Sequence, residues 1–210
     1  MIVIKPMAII GSYTPDLEKV IENAGRTCWK SEDRITDTSA PAFIKMISSY
    51  KHESVLEHGS ITVRFICDRG VSHELVRHRL ASFSQESTRY CNYGKDKFKA
   101  CLTFIDPSLA FNWSLEEPKY KLWLMACEYA EKSYLHLLEE GATPQEARSV
   151  LPNSLKTELV MTANPREWKH VFKLRCDKAS HPQMRELMIP LRDEFIARWP
   201  SIFGEDNGTI

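Results

Sequence analysis

The 210-residue sequence has no surplus of charge of either sign: 28 Lys and Arg residues balance 28 Asp and Glu residues. No global basic field draws it to nucleic acid or to an acidic membrane, so any anion site must be local. Long apolar runs are also missing. The longest stretch free of Asp, Glu, Lys and Arg is Pro6 to Pro15, far short of the roughly 18 residues that a membrane span requires. Cys28, Cys67, Cys91, Cys101, Cys127 and Cys176 contain no Cys-x-x-Cys pair, and no cationic, small-residue leader precedes the first strand. The expectation is a cytoplasmic protein with reduced thiols. There is no repeat, linker or low-complexity tract. A hydrophobic content of 43% with 27% charged residues excludes disorder and collagen-like or coiled-coil structure. At about 150 residues per domain, the length predicts one domain, residues 1–210.

What is present reads as a mixed α+β fold. Met1 to Ile10 is β-branched and apolar enough for a first strand, and Asp16 to Ala24 reads as a helix stopped by Gly25. Thr38 or Ser39 is placed to cap a helix carrying Phe43, Ile44 and Ile47. Ile61, Val63, Phe65 and Cys67 alternate with more polar residues as in a strand, Gly70 turns the chain, and Val71 to Arg79 predicts a short helix. Ala81 to Lys99 has too few aliphatic residues for a core element and reads as an ordered loop. Leu122, Met125, Tyr129 and Leu137 recur at helical spacing, so Glu116 to Glu140 is the longest predicted helix, expected to pack that stripe in the core. Thr143 and Pro144 begin a helix ending near Pro152. Asn164, Pro165 and Glu167 supply a cap, a first-turn proline and a capping-box glutamate for the next. The last helix runs from Pro182 to Trp199 with a bend at Pro190.

The densest polar segment is Arg77-His78-Arg79-Leu80-Ala81-Ser82-Phe83-Ser84-Gln85-Glu86-Ser87-Thr88-Arg89-Tyr90, with three arginines, four hydroxyl-bearing Ser or Thr residues and one acid. Guanidinium forks match phosphate oxygens bidentately, and short hydroxyls complete a phosphate shell. A solvated, Arg-rich surface loop is the bland alternative on composition alone. The order of the residues is more specific. Arg-His-Arg, seven residues, Ser, then Arg and Tyr two and three positions later resembles the signature of flavin-dependent thymidylate synthases. Three further blocks carry the same resemblance in the same order: His52-Glu53-Ser54-Val55-Leu56-Glu57-His58, Glu146-Ala147-Arg148-Ser149-Val150-Leu151-Pro152, and Asn164-Pro165-Arg166 leading to Leu174-Arg175. With their spacers they cover about residues 50 to 183.

The resemblance implies reductive methylation of dUMP to dTMP with FAD, NADPH and methylenetetrahydrofolate, without a covalent enzyme nucleophile and without a metal, in a homotetramer whose sites are shared between subunits. It implies dUMP contacts from Glu74, Leu75, Val76, Arg77, Gln85, Glu86, Ser87, Thr88, Arg89, Arg148 and Arg175, with Arg89 and Ser87 at the phosphate. Arg175 matches the arginine that assists ionisation at uracil N3 and is the one catalytic residue expected, a role suited to a permanently charged planar donor. For FAD the resemblance points to Ser54, Arg77, His78, Arg79, Leu80, Asn164, Arg166, His170 and Leu174. Arg166, His170 and Leu174 are four apart, so one helix would place them on one face. His52 and Glu57 match positions near flavin or folate, and Tyr90 is placed to stack near the nucleotide. Three positions depart from the pattern: some other members carry Gln at Glu74 and Glu at Gln85, which leaves open which of the two reads the uracil edge, and Asn at His170.

Rival chemistries are weaker. His73 and His78 are five apart rather than the four that a zinc-protease helix needs, and His52 and His58 have no third ligand in view. Ser87 between arginines suits anion binding better than nucleophilic attack. A flavin-free thymidylate synthase needs a Cys nucleophile, to which Cys28, Cys91 or Cys101 could be nominated. Glu139 and Glu140 read as a solvated helix end and not as a glycosidase pair. A nucleic-acid module built on Arg77, Arg79, Arg89, Lys95, Lys97 and Lys99 leaves the Arg148 and Arg175 blocks unexplained. The partners expected are therefore dUMP, folate and further copies of the chain, with no nucleic acid and no membrane.

Overall fold

The computed structural model describes residues 1–95 and 100–204. In order along the chain come β1 (Ile2–Ile4), β2 (Met7–Tyr13), α1 (Leu17–Trp29), α2 (Ala40–Ser49), β3 (Ile61–Asp68), α3 (Arg69–Leu75), β4 (Ala81–Gln85), β5 (Thr103–Ile105), α4 (Ser108–Phe111), α5 (Pro118–Glu139), α6 (Pro144–Ala147), β6 (Lys156–Ala163), α7 (Pro165–Arg175), α8 (Pro182–Arg198) and α9 (Pro200–Phe203). Strands β2, β3, β6 and β4 form a sheet in that order, and β1 pairs in parallel with β5. The mixed α+β class read from the sequence holds. No helix among the described residues is long and apolar enough to cross a membrane.

Two compact units organise the chain. The first comprises Met1–Met7, Phe65–Arg77 and Phe83–Val160. Its core gathers Leu102, Phe104, Cys127, Tyr134 and Leu155, and the Tyr134 hydroxyl accepts from the Tyr93 N–H at 3.3 Å. The second comprises Ala8–Arg64, His78–Ser82 and the chain from Met161 onward. Here Trp168, Phe172, Phe195 and Trp199 pack edge to face, tilted or stacked, with ring centroids 5.0 to 5.7 Å apart. The Trp168 indole N–H donates to the Ile61 carbonyl at 3.0 Å, so the ring is buried without an orphaned donor.

Several sequence expectations need correction. The single first strand is two, because Pro6 lacks the N–H that a ladder requires. Gly25 does not stop α1, which continues to Trp29; a Cβ there would lie 2.6 Å from the Phe43 ring, so this glycine serves close packing. Gly70 lies inside α3 and makes no turn, and that helix ends at Leu75. The predicted loop starting at Ala81 begins as strand β4, while Lys97 and Lys99 lie outside the described residues. Helix α5 forms as expected, but only the end of its stripe packs inward: Leu137 lies against the core of the first unit, whereas Leu122, Met125 and Tyr129 are 65%, 52% and 69% exposed. Pro190 sits within α8. Strands β5 and β6 were not anticipated.

Candidate functional site

The signature begins where Asp68 caps α3, its carboxylate accepting from the Val71 N–H at 2.7 Å. Within α3 the Leu75 side chain is fully buried and belongs to the core, which leaves only its backbone for any ligand, whereas Val76 and Arg77 are exposed. Strand β4 ends at Gln85, whose amide nitrogen donates to the Ser72 hydroxyl at 2.9 Å and to Thr157 at 3.2 Å. Glu86 is held on both carboxylate oxygens, by the Tyr93 hydroxyl at 3.0 Å and the Lys156 ammonium at 2.9 Å, and its N–H donates to the Glu158 carbonyl. Burial opposes the Lys156 charge, but hydrogen bonds to Glu158 and Glu86 outweigh it and raise its pKa. Burial and the neighbouring Glu86 carboxylate push the Tyr93 phenol far up, so it stays a neutral donor.

These anchors hold the base of a tight turn. The Ser87 carbonyl accepts from the N–H groups of Tyr90 and Cys91, and its hydroxyl from the Arg89 N–H at 3.2 Å. Thr88 points inward, while Arg89 and Tyr90 are exposed, the guanidinium 5.3 Å from the ring centroid. Arg148 follows α6 on a 3-10 turn and is also exposed. Glu74 is half-buried.

In the second unit, α7 is started by the Asn164 side chain, which accepts from the Glu167 N–H at 2.8 Å, and by Pro165. Arg166, His170 and Leu174 all lie on its exposed side, as their spacing required. Arg166 pairs with Glu57 at 2.6 Å, and Lys169 with Glu53 at 3.2 Å. Exposed Ser54 lies on the same 3-10 turn as those two acids, and His52, just before it, is tilted against Trp29 and Tyr50. An open cleft is lined by Gly59, Arg79, Leu80, Ser82, Thr162 and Asn164, with Leu80 among the most exposed apolar side chains.

Beside these residues runs a polar chain whose centre is buried. His78, 4% exposed, accepts at Nε2 from the Arg175 Nε–H at 2.9 Å, and its Nδ1 lies 3.3 Å from the Glu167 carboxylate. His170 stands edge-on to His78 with ring centroids 5.8 Å apart. Burial, then the charges of Arg175 and His170, lower the His78 pKa to about 4, and burial raises that of Glu167. The ligating atoms of His78, Glu167 and His170 lie within 4.8 Å of one another, but His78 Nε2 is committed to Arg175 and Nδ1 faces the Glu167 carboxylate. The group is read as a polar chain running from Glu167 through His78 to Arg175.

Residues 10–201 match the family described as thymidylate synthase complementing protein. The flavin-dependent thymidylate synthase of Geobacter sulfurreducens is 33% identical over 91% of this chain and 82% of its own length, and that of Pyrococcus abyssi 32% identical over 81% and 69%. The chain belongs to the flavin-dependent thymidylate synthase family. A crystal structure of thymidylate synthase X from Helicobacter pylori with FAD and dUMP has the same fold, with a TM-score of 0.77 and 24% identity over 97% of this chain and all of that one.

In this flavin-dependent thymidylate synthase, burial pushes Cys67 far up and Cys127 and Cys176 to about 11, which disfavours the thiolate at these three positions. Sequence reasoning missed Lys156, Glu158 and Tyr93 as supports of Glu86. The alternation Thr157, Leu159, Met161, Ala163 was the available signal for β6 and for the opposite face that carries Lys156 and Glu158. Glu167 read only as a capping glutamate, but its carboxylate turns to His78 instead.

Proposed function

We propose that this flavin-dependent thymidylate synthase converts dUMP to dTMP with methylenetetrahydrofolate as carbon donor, FAD as flavin and NADPH as reductant, in the cytoplasm, as a homotetramer in which residues 1–210 act as one functional domain and sites are shared between subunits. The observation that carries the nucleotide reading is four exposed arginines, Arg77, Arg79, Arg89 and Arg148, with no carboxylate at ion-pair distance among the described residues, in a chain with zero net charge. Unpaired guanidinium groups in a neutral protein are what a phosphorylated ligand requires.

Arg89, the Ser87 hydroxyl and Arg148 are assigned to the dUMP phosphate. Glu74, Arg77 and the Gln85 carbonyl face the base, Glu86 supports them through its own bonds to Tyr93 and Lys156, and Leu75, Val76 and Thr88 contribute backbone. For FAD the exposed donors fit: Arg79 and Arg166 supply cations for a pyrophosphate, Leu80 and Leu174 supply exposed apolar surface for a ring, and Ser54, Asn164 and His170 supply polar contacts, Asn164 from the wall of the open cleft, while His78 is buried behind them and bonded to Arg175. When bound, reduced flavin supplies the hydride. Arg175 stabilises negative charge developing on the uracil ring, with a donor whose proton is never lost. The exposed Leu122, Met125 and Tyr129 of α5 suit burial against other copies.

The test is the visible spectrum of FAD-loaded, desalted protein before and after dUMP, followed by dTMP formation with all substrates. A bound-flavin spectrum that dUMP perturbs, with turnover, is expected. Absence of both in folded protein refutes the reading, and steeply salt-dependent oligonucleotide binding in their place would favour the nucleic-acid alternative.

A further inference from the structure

We propose that Glu167 is a positioning residue that, through His78, fixes the orientation of the Arg175 guanidinium; the proposal rests on the catalytic reading of Arg175 given above. The guanidinium is permanently protonated, so its Nε can only donate. At 2.9 Å from that nitrogen, His78 Nε2 must be the acceptor. The imidazole is then neutral with its proton on Nδ1, the nitrogen that faces the Glu167 carboxylate at 3.3 Å. The opposite tautomer would set N–H against N–H at Arg175 and a lone pair against a carboxylate at Glu167.

Both His78 and Glu167 are buried, so water cannot relieve either mismatch. The depressed basicity of His78 agrees with a neutral ring. Glu167 and Arg175 are eight residues apart on one helix, so α7 sets the span that the imidazole bridges. With Nε held by His78, the plane of the guanidinium is set by the imidazole. Anchoring removes rotamer freedom from a long side chain before substrate arrives, which places the donor in advance of the reaction.

Two measurements test this. A neutron crystal structure of the FAD-loaded protein is expected to show deuterium on His78 Nδ1 and none on Nε2; deuterium on Nε2 overturns the proposal whatever the kinetics. In steady-state assays Glu167→Met, similar in length but without an acceptor, is expected to lower kcat by about 100-fold, with FAD affinity and the KM for dUMP held within about twofold, well below that same scale. Glu167→Gln keeps a carbonyl acceptor and is expected to recover most of that loss. A folded Glu167→Met variant with unchanged kcat, or a Gln variant no better than Met, overturns the proposal. Wild-type turnover in Arg175→Ala would overturn the catalytic reading and the proposal together. Full activity in Glu167→Met beside an inactive Arg175→Ala would remove the role of Glu167 alone.

Discussion

Acidification should destabilise this protein through His78, by an amount that follows from its surroundings. Burial, Arg175 and His170 lower its folded pKa to about 4 from an ordinary 6.5. Because the folded pKa is depressed, the stabilising neutral state is fully available above pH 6.5, and stability is lost as pH falls from 6.5 towards 4. Between those values the unfolded chain binds the extra proton, so stability rises with pH. At 1.36 kcal/mol per pKa unit, lowering the pH from 7 to 5 costs about 2 kcal/mol through this ring. The full window down to pH 4 costs about 3 kcal/mol on the same scale. Glu167, the facing carboxylate, has a raised pKa and contributes with the opposite sign above its ordinary range, which makes the His78 figure an upper value. The assay is urea unfolding of wild type and His78→Asn at pH 7 and pH 5, at one fixed protein concentration so that self-association does not shift the midpoint. The variant is expected to be less stable at pH 7 but to lose about 2 kcal/mol less than wild type on going to pH 5. Identical losses in the two proteins would refute the reasoning.

Four further outcomes are expected. Arg175→Ala should reduce turnover far more than FAD binding, measured by single-turnover kinetics and flavin fluorescence; equal turnover would remove its catalytic role. Arg89→Ala should weaken dUMP by about 1.5–3 kcal/mol, the range for charge-assisted hydrogen bonds, checked by calorimetry of the FAD-loaded protein. Gly25→Ala places a methyl 2.6 Å from the Phe43 ring and should cost about 1–3 kcal/mol of stability by overpacking, read by denaturant unfolding. Sedimentation should give a mass of four chains for wild type and a smaller species for Met125→Glu, which sets a charge in the exposed apolar stripe of α5.

The legible parts of this molecule were those where one local rule decides the outcome. Alternation from Ile61 to Cys67 required a strand, and Asn164 with Pro165 required a helix start; both formed where expected. The signature residues were legible because their order is specific, although the order could not reveal what holds them. Glu86 is anchored by Tyr93 and Lys156, and Lys156 is 70 positions away, beyond the reach of any local rule. Glu167 failed for a related reason. A capping-box pattern records that a carboxylate can turn back to its own helix, but a buried imidazole offers a competing partner, and here the imidazole wins. Strand β4 was missed because Ala81-Ser82-Phe83-Ser84-Gln85 carries little apolar signal, and at a sheet edge one neighbour's backbone suffices to form it. The stripe of α5 shows the limit most plainly. Periodicity establishes that Leu122, Met125 and Tyr129 share a face that avoids water, but it carries no information on whether the covering surface comes from the same chain or from another copy. Their exposure in the single chain turns a packing inference into an assembly inference, and Met125→Glu decides between an idle surface and a working interface.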